Sequence, residues 1–488
     1  MTSFLINNID YGLTGTREGE RLSGAIRVHD GRIAEIGHLQ PLEGERIVDA
    51  SGCVVTPGLV NTHHHLFQSV LKAVPEGMNA PLDDWLMNVP YSYWPRIDEE
   101  TLRVSARIGL AELLLTGTTT VCDHHYVYSD HYDYDPADVL FEEAEALGIR
   151  FVLARGGGTK GRSFPDPSLP PSPSEPLDKF LASIERTANR WHDPSPGSSR
   201  RVAVAPTTPT FNVDAGELAD IARFARGKGL RLHSHLSENR TYVDFTLAKY
   251  GKRPVDWLAE QQWLGPDVWF AHLVECDRDE VRMLAETGTG MAHCPQANAR
   301  LGSGIAPADI LHDLGGRVSL AVDGAGANEA ADMGAALYSA FALHRATKGV
   351  QALQAESLLN WATEGGAKVL GFEEIGVLRP GMIADIAVFD ISAPRNMGLH
   401  DPALAPVLTG AASLRHSFVG GQQIVQDGSI PGLDLAGLGS DARRVTRQLI
   451  ERRKEMTALS RAAPPRPDGK SPASGRHILM WSRSCQCP

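Results

Sequence analysis

RVAVAPTT (201–208), ELADIARFARGKG (217–229) and LRLHSHLSE (230–238) follow one another as an apolar strand, an amphipathic helix and a second apolar strand. Gly229 falls where the helix must stop, immediately before the next strand. The same unit stands upstream as TTTVCDH (118–124), ADVLFEEAEALG (137–148) and IRFVLARGG (149–157), with Gly148 as its stop. Repetition of this βα unit across about 300 residues points to an α/β chain built on a (β/α)₈ TIM-type barrel, ahead of an open parallel sheet.

Outside this repeat the periodicity changes. GAIRV, Asp30-Gly31 and RIAEIG read as a hairpin, and ADIAVFD (384–390) and HSFVGGQQIVQDG (416–428) carry the same short-strand pattern. Neither end has enough strands to bury a core alone, so both are expected to build one small β-sandwich domain. The expected organisation is residues 1–56 and 378–436 for that domain and 57–377 for the barrel. A C-terminal helix follows over 437–460, with Val445, Leu449 and Ile450 on one side, and then a disordered tail over 461–488. The Pro-, Ser- and Gly-rich stretch 161–176 reads as a long loop after the third barrel strand.

With 42% hydrophobic and 22% charged residues among 488, the composition is globular, and no apolar run approaches the roughly 20 residues that span a bilayer. The amino terminus lacks a secretory pattern, so a cytoplasmic location is expected and no membrane association. Six cysteines are too sparse for a disulfide framework. Net charge is −12, while residues 441–488 hold 11 basic and 4 acidic side chains. The body is therefore strongly acidic, which disfavours nucleic acid as a partner.

Chemistry concentrates at strand ends. In PGLVNTHHH (57–65), alternation places His63 and His65 on one face and turns His64 outward. Two imidazoles on one face at the mouth of a barrel form a natural metal-binding pair. In LRLHSHLSE the residue nearer the carboxyl end reaches the mouth, so His235 is chosen over His233; Glu238 lies just past the strand. WFAHLVE ends a strand on His272, and VSLAVDGAGANE ends one on Asp323. Three neutral imidazoles and one carboxylate leave a bound Zn²⁺ with net positive charge, preserving its power to acidify water.

The motifs THHH (62–65), HLSE (235–238), FAH (270–272), HCPQAN (293–298) and VDGAGAN (322–328) together resemble the amidohydrolase superfamily, in its cytosine/guanine-type deaminase branch. The likeness spans roughly residues 1–435. It implies one divalent metal per chain on His63, His65, His235 and Asp323, with Glu238, His272 and Asp323 as the catalytic acid/base groups. Zinc is expected, and iron(II) suits the same donors. Binuclear relatives carry a carbamylated Lys on the fourth strand; RVAVAPTTPT (201–210) has none, which implies a mononuclear site.

The resemblance also implies hydrolytic release of ammonia from a small heterocycle with a 2-amino-4-oxo edge, isoxanthopterin ahead of 8-oxoguanine or guanine, by a homo-oligomer. A triazine hydrolase is the alternative chemistry and a noncatalytic scaffold the alternative class. Gln68 stands where relatives pair a glutamine with the amide edge of the base, or it is simply a polar helix start. Trp85, Tyr91 and Trp94 are either a lid for a flat ring or an ordinary loop core. Arg155 and Arg162, flanking RGGGTKGR, either meet an oxo substituent or are solvated. Relatives commonly have Ser at Ala297 and Ala327, so hydroxyl groups are expected to be missing near the pocket.

Overall fold

The computed structural model describes residues 3–130, 132–162, 172–410 and 413–462. Five strands come first: β1 (Ser3–Leu13), β2 (Arg21–His29), β3 (Arg32–Gly37), β4 (Arg46–Asp49) and β5 (Cys53–Pro57). Eight follow at barrel spacing: β6 (Leu59–His64), β7 (Thr118–His125), β8 (Arg150–Arg155), β9 (Arg200–Val204), β10 (Arg231–Leu236), β11 (Val268–His272), β12 (Gly290–His293) and β13 (Val318–Leu320). The last three are β14 (Ile386–Asp390), β15 (Ser413–Val419) and β16 (Gln422–Val425).

Strands β6 to β13 pair in sequence order and in parallel, each neighbour with the next. A parallel strand wrapped by helices is buried on both faces, and all eight residues of β7 are. The ring closes between β6 and β13 through side chains and single backbone bonds. Thr62 Oγ1 meets Ser319 Oγ at 2.7 Å, the Val322 N–H donates to Asn61 Oδ1 at 3.2 Å, and the Asp323 N–H donates to the His63 carbonyl at 3.1 Å. The helices between strands begin and end on local signals. Asp98 caps Glu99–Leu115 by accepting from the Thr101 N–H at 2.9 Å, and Gly148 ends Pro136–Leu147 in the left-handed region.

The remaining strands form one mixed sheet, β16-β15-β14-β5-β1-β2-β3, with β4 alongside β1. The two chain ends thus meet in one domain, joined where β14 pairs antiparallel with β5. The sheet curls over its own core: the rings of Phe4 on β1 and Phe418 on β15 stack 4.8 Å apart although two strands separate them along the sheet. A buried ion pair fastens this domain to the barrel. Arg150 at the start of β8 reaches both Asp385 oxygens at 3.0 Å, and Asp385 also accepts from the Gly420 N–H.

The C-terminal helix runs Leu435–Ala462. It buries Val445 and Leu449, leaves Ile450 exposed and ties to the helix Glu99–Leu115 through Arg444 and Glu100. Of the tail expected over 461–488, residues 461 and 462 belong to the C-terminal helix and the rest, like residues 163–171 of the expected long loop, lie outside the described residues. No helix among the described residues is long and apolar enough to cross a membrane.

Candidate active site

The side chains singled out at strand ends converge at the carboxyl end of the barrel. His65 Nε2 lies 3.1 Å from His235 Nε2 and 3.3 Å from Asp323 Oδ1, and His63 Nε2 lies 3.5 Å from that same oxygen. The other nitrogen of each ring decides which way its lone pair points. His65 Nδ1 donates to the His124 carbonyl (2.7 Å) and His235 Nδ1 to the Thr207 carbonyl (2.6 Å), so both Nε2 atoms are unprotonated in the neutral ring. For His63 the tautomer is set one residue deeper. His233 Nδ1 donates to the Trp269 carbonyl at 3.0 Å, which leaves its Nε2 to accept from His63 Nδ1 at 2.8 Å and turns the His63 Nε2 lone pair inward.

Burial holds these rings neutral: His63, His65 and His233 lie well below the ordinary imidazole range, and His235 is pushed down to about 3. Two lone pairs 3.1 Å apart with no proton between them repel, and His63 Nε2 is buried without a hydrogen-bond partner. A divalent cation resolves both. A tetrahedral site with bonds of about 2.0–2.1 Å has edges of about 3.4 Å, close to the 3.1, 3.3 and 3.5 Å between His65 and His235, His65 and Asp323, and His63 and Asp323. Among the described residues the donor atoms of His63, His65, His124 and His235 lie within 4.8 Å of one another, as do those of His63, His272 and Asp323, a histidine-rich cluster that suits a zinc-type ion.

Asp323 is held by the Gly324 N–H at 2.7 Å, and burial raises its carboxyl above the usual range. Glu238 stands beside the ligand set, its Oε2 3.5 Å from His272 Nε2. Its carboxyl is pushed up to about 7, chiefly by burial and further by the Asp323 charge, against the opposing pull of His272. His272 is oriented from behind by Asn298 of the HCPQAN motif, whose Oδ1 accepts from Nδ1 at 2.9 Å. Ser237, His272 and Asp323 all take positive φ, 50°, 74° and 64°, so the backbone is strained where the chain leaves β10, β11 and β13.

A small cavity of about 40 Å³ opens over these groups. Of the side chains expected at the substrate, Gln68, Trp85 and Tyr91 line it. Gln68 donates from Nε2 to Tyr126 Oη at 3.4 Å, and its buried Oε1 has no hydrogen-bond partner. It reaches the mouth only because residue 324 is glycine: a Cβ there would lie 2.1 Å from Gln68 Oε1.

Two expectations are corrected. Arg155 does not line the cavity: as the last residue of β8 it turns into the helix layer, bonding the Gly156 carbonyl, Ser183 Oγ and Glu175, with its guanidinium 3.8 Å over the Tyr128 ring. Trp94 is also outside it, because the short helix Pro90–Tyr93 carries the chain away and the Trp94 carbonyl is tied to Tyr132 Oη at 2.9 Å. Arg162 lines the cavity instead. Ala297 and Ala327 are buried but line no part of it.

His124, Tyr126, Tyr242 and Thr207 were missed. His124 contributes both its carbonyl to His65 and a ring stacked on His235 at 4.7 Å. Its alternation with Cys122 in TTTVCDHHY was the available signal. His64, expected outward, is buried against the helix Glu99–Leu115, where a Cβ on Gly109 would lie 3.1 Å from its Nε2.

Fold and site together define a metal-dependent hydrolase barrel. Residues 54–424 match the amidohydrolase family, and the chain belongs to it. It is 46% identical over 470 residues to an isoxanthopterin deaminase from an unknown prokaryotic organism, covering 92% of this chain and 97% of the relative. To the 8-oxoguanine deaminase of Pseudomonas aeruginosa it is 39% identical over 441 residues, covering 89% and 97%. Among solved structures it is similar to atrazine chlorohydrolase from Arthrobacter aurescens TC1 complexed with zinc, with a TM-score of 0.84, 27% identity and coverage of 91% and 100%.

Proposed function

We propose that this protein is a mononuclear, metal-dependent deaminase that hydrolyses the amino group from a 2-amino-4-oxo bicyclic heterocycle, isoxanthopterin ahead of 8-oxoguanine. The observation that carries the reaction class is Glu238: a buried carboxyl at about 7, 3.5 Å from His272 Nε2 and beside the donor set. A leaving amine must be protonated, and a carboxyl poised near neutrality both gives and takes a proton. The 46% identity to an isoxanthopterin deaminase over 92% of the chain supports the substrate class.

His63, His65, His235 and Asp323 would hold one divalent cation, zinc first and iron(II) second. When bound, it supplies Lewis acidity and allows water to ionise near neutral pH. Asp323 takes the proton that water loses as its oxygen bonds to the amino-bearing ring carbon. Glu238 delivers a proton to the adjacent ring nitrogen, while His272, carrying a proton on Nε2 as well as on Nδ1, donates from Nε2 to the attacking oxygen as negative charge gathers there. Glu238, now deprotonated, takes the remaining proton of the added oxygen and passes it to the amino group, the carbon–nitrogen bond breaks, ammonia leaves an oxo product, and the proton held by Asp323 returns to Glu238. Gln68, with one donor and one acceptor, pairs with the adjacent carbonyl and N–H of the ring edge. The same reading expects a cytoplasmic homo-oligomer.

Ammonia release by metal-replete protein from isoxanthopterin, 8-oxoguanine, guanine and cytosine tests this. Isoxanthopterin is expected to have the highest kcat/KM and cytosine the lowest. Faster turnover of 8-oxoguanine overturns the ranking, and no release from either bicycle overturns the substrate class.

A further inference from the structure

The helix Leu82–Asn88 roofs the cavity, and three of its seven residues, Leu82, Trp85 and Leu86, line it. It belongs to the connection after β6, yet it is fastened to three other connections. Trp85 Nε1 donates to the Gly326 carbonyl beyond β13 at 3.1 Å. The remaining fastenings all converge on one carboxylate, Asp83. Its Oδ1 lies 2.6 Å from Arg162 Nη2 in the connection after β8. Its Oδ2 accepts from Thr241 Oγ1 at 2.9 Å and from Asn239 Nδ2 at 3.3 Å, both in the connection after β10.

That last connection carries the acid/base. Glu238 immediately precedes Asn239, and Ser237 before it is already held at a positive φ. Asn239 is shared: its Oδ1 accepts from the Thr241 N–H at 3.2 Å to cap the helix Arg240–Tyr250, while its Nδ2 points to Asp83. Tyr242, one residue past Thr241, lines the cavity, as Arg162 does. The Asp83 carboxylate therefore has one oxygen on a cavity-lining cation and the other on the segment that begins at Glu238. Hydrogen bonds to a charged acceptor are roughly twice as strong as neutral ones, so a single side chain dominates this junction.

With about 40 Å³ the cavity holds only a few waters, so the roof must lift to admit a bicyclic ring and return before chemistry. We propose that Asp83 is a positioning residue that joins seating of the Leu82–Asn88 helix to placement of the Glu238 segment, so that the cavity closes and the acid/base is set in one event. The junction rests on the deaminase reading for its purpose, and on the contacts of Asp83 for its existence. Loss of Asp83 is thus expected to loosen two segments whose bonded residues are 156 and 158 positions apart in the chain, and to leave the metal donors untouched.

The test is hydrogen–deuterium exchange on metal-replete wild type, Asp83→Ala, Asp83→Asn and, as a neighbouring control of equal charge change, Asp84→Ala, whose parent side chain is exposed. Exchange needs no substrate, so its outcome is independent of whether the substrate has been named correctly. Asp83→Ala is expected to speed exchange at least tenfold in peptides covering both 82–89 and 237–243, with β7 and β11 unchanged and one metal retained. Asp83→Asn, which keeps an acceptor for Thr241 but loses the charge facing Arg162, is expected to lie between it and wild type. Asp84→Ala is expected to match wild type. On isoxanthopterin, Asp83→Ala is expected to lower kcat and raise KM together, each about tenfold, because seating of the roof and placement of Glu238 are lost at once.

Exchange quickened in 82–89 alone, in neither segment, or equally in Asp84→Ala overturns the coupling. Should Asp83→Ala fail to fold, Asp83→Asn decides by the same two peptides. Quickened exchange in both segments with no turnover of any bicycle would leave the junction standing and remove the deaminase reading.

Discussion

Replacing Glu238 with Gln separates the acid/base from the metal site. The amide keeps the size of the side chain, whose Oε2 lies 3.5 Å from His272 Nε2, but transfers no proton. Glu238 is not among the four converging donors, so metal content is expected to stay at one equivalent by elemental analysis. A positioned acid/base contributes about 10²–10⁴ in rate, or about 3–5 kcal/mol at 1.36 kcal/mol per decade. kcat for ammonia release, followed by a coupled glutamate dehydrogenase assay, is therefore expected to fall at least 100-fold. Direction with pH follows from the raised carboxyl: the protonated form that donates to the ring exists below about 7 and is lost above it. Wild type is expected to show an alkaline limb that the Gln variant lacks. His235→Ala is the counterpart, losing metal and activity together. If Glu238→Gln lost its metal, or kept kcat within threefold of wild type, the separation of roles argued from these distances would be wrong.

Three further expectations follow from the packing. His233→Leu leaves His63 Nδ1 buried without its acceptor and frees the ring to turn, and partners of this kind are worth about 10–100-fold in metal affinity; chelator competition measures it. Asp385→Ala strands the Arg150 guanidinium between barrel and β domain, which costs about 3–5 kcal/mol and is read as a lowered Tm. Gln68→Ala is expected to reduce kcat/KM on both isoxanthopterin and 8-oxoguanine while leaving metal content unchanged; an unchanged kcat/KM would remove Gln68 from the site.

The barrel was legible because strands buried on both faces leave continuous apolar runs, and the side chains that converge at its mouth because each stands where such a run ends. His63, His65, His235 and Asp323 needed only alternation and a strand end. The supporting atoms were less legible. His233 shares a face with His235 and reads as a rival ligand, whereas its depth in the barrel makes it the acceptor that orients His63. Arg155 and Arg162 bracket the same glycines, yet the first still belongs to β8 and turns into the helix layer while the second returns over the mouth. Loop paths have no period, so nothing local distinguished them. Trp85 and Trp94 differ in the same way, separated by a helix of four residues that redirects the chain. The β domain was legible as strands from both ends, but the pairing of β5 with β14 that joins them depends on contacts more than 300 residues apart.

The seam between β6 and β13 has a consequence for how the protein matures. The first two donors, His63 and His65, are synthesised about 260 residues before the last, Asp323, and the backbone bond that brings Asp323 into place runs to the His63 carbonyl itself. Ring closure and completion of the donor set are one and the same contact. A nascent chain released before the eighth strand would hold imidazoles without their carboxylate, so high-affinity metal uptake reports that the ribosome has passed residue 323 and the barrel has shut. An ion held by that set would act as a clasp on the one junction between neighbouring barrel strands that has no strand ladder among the described residues, and its removal is expected to open the molecule there first.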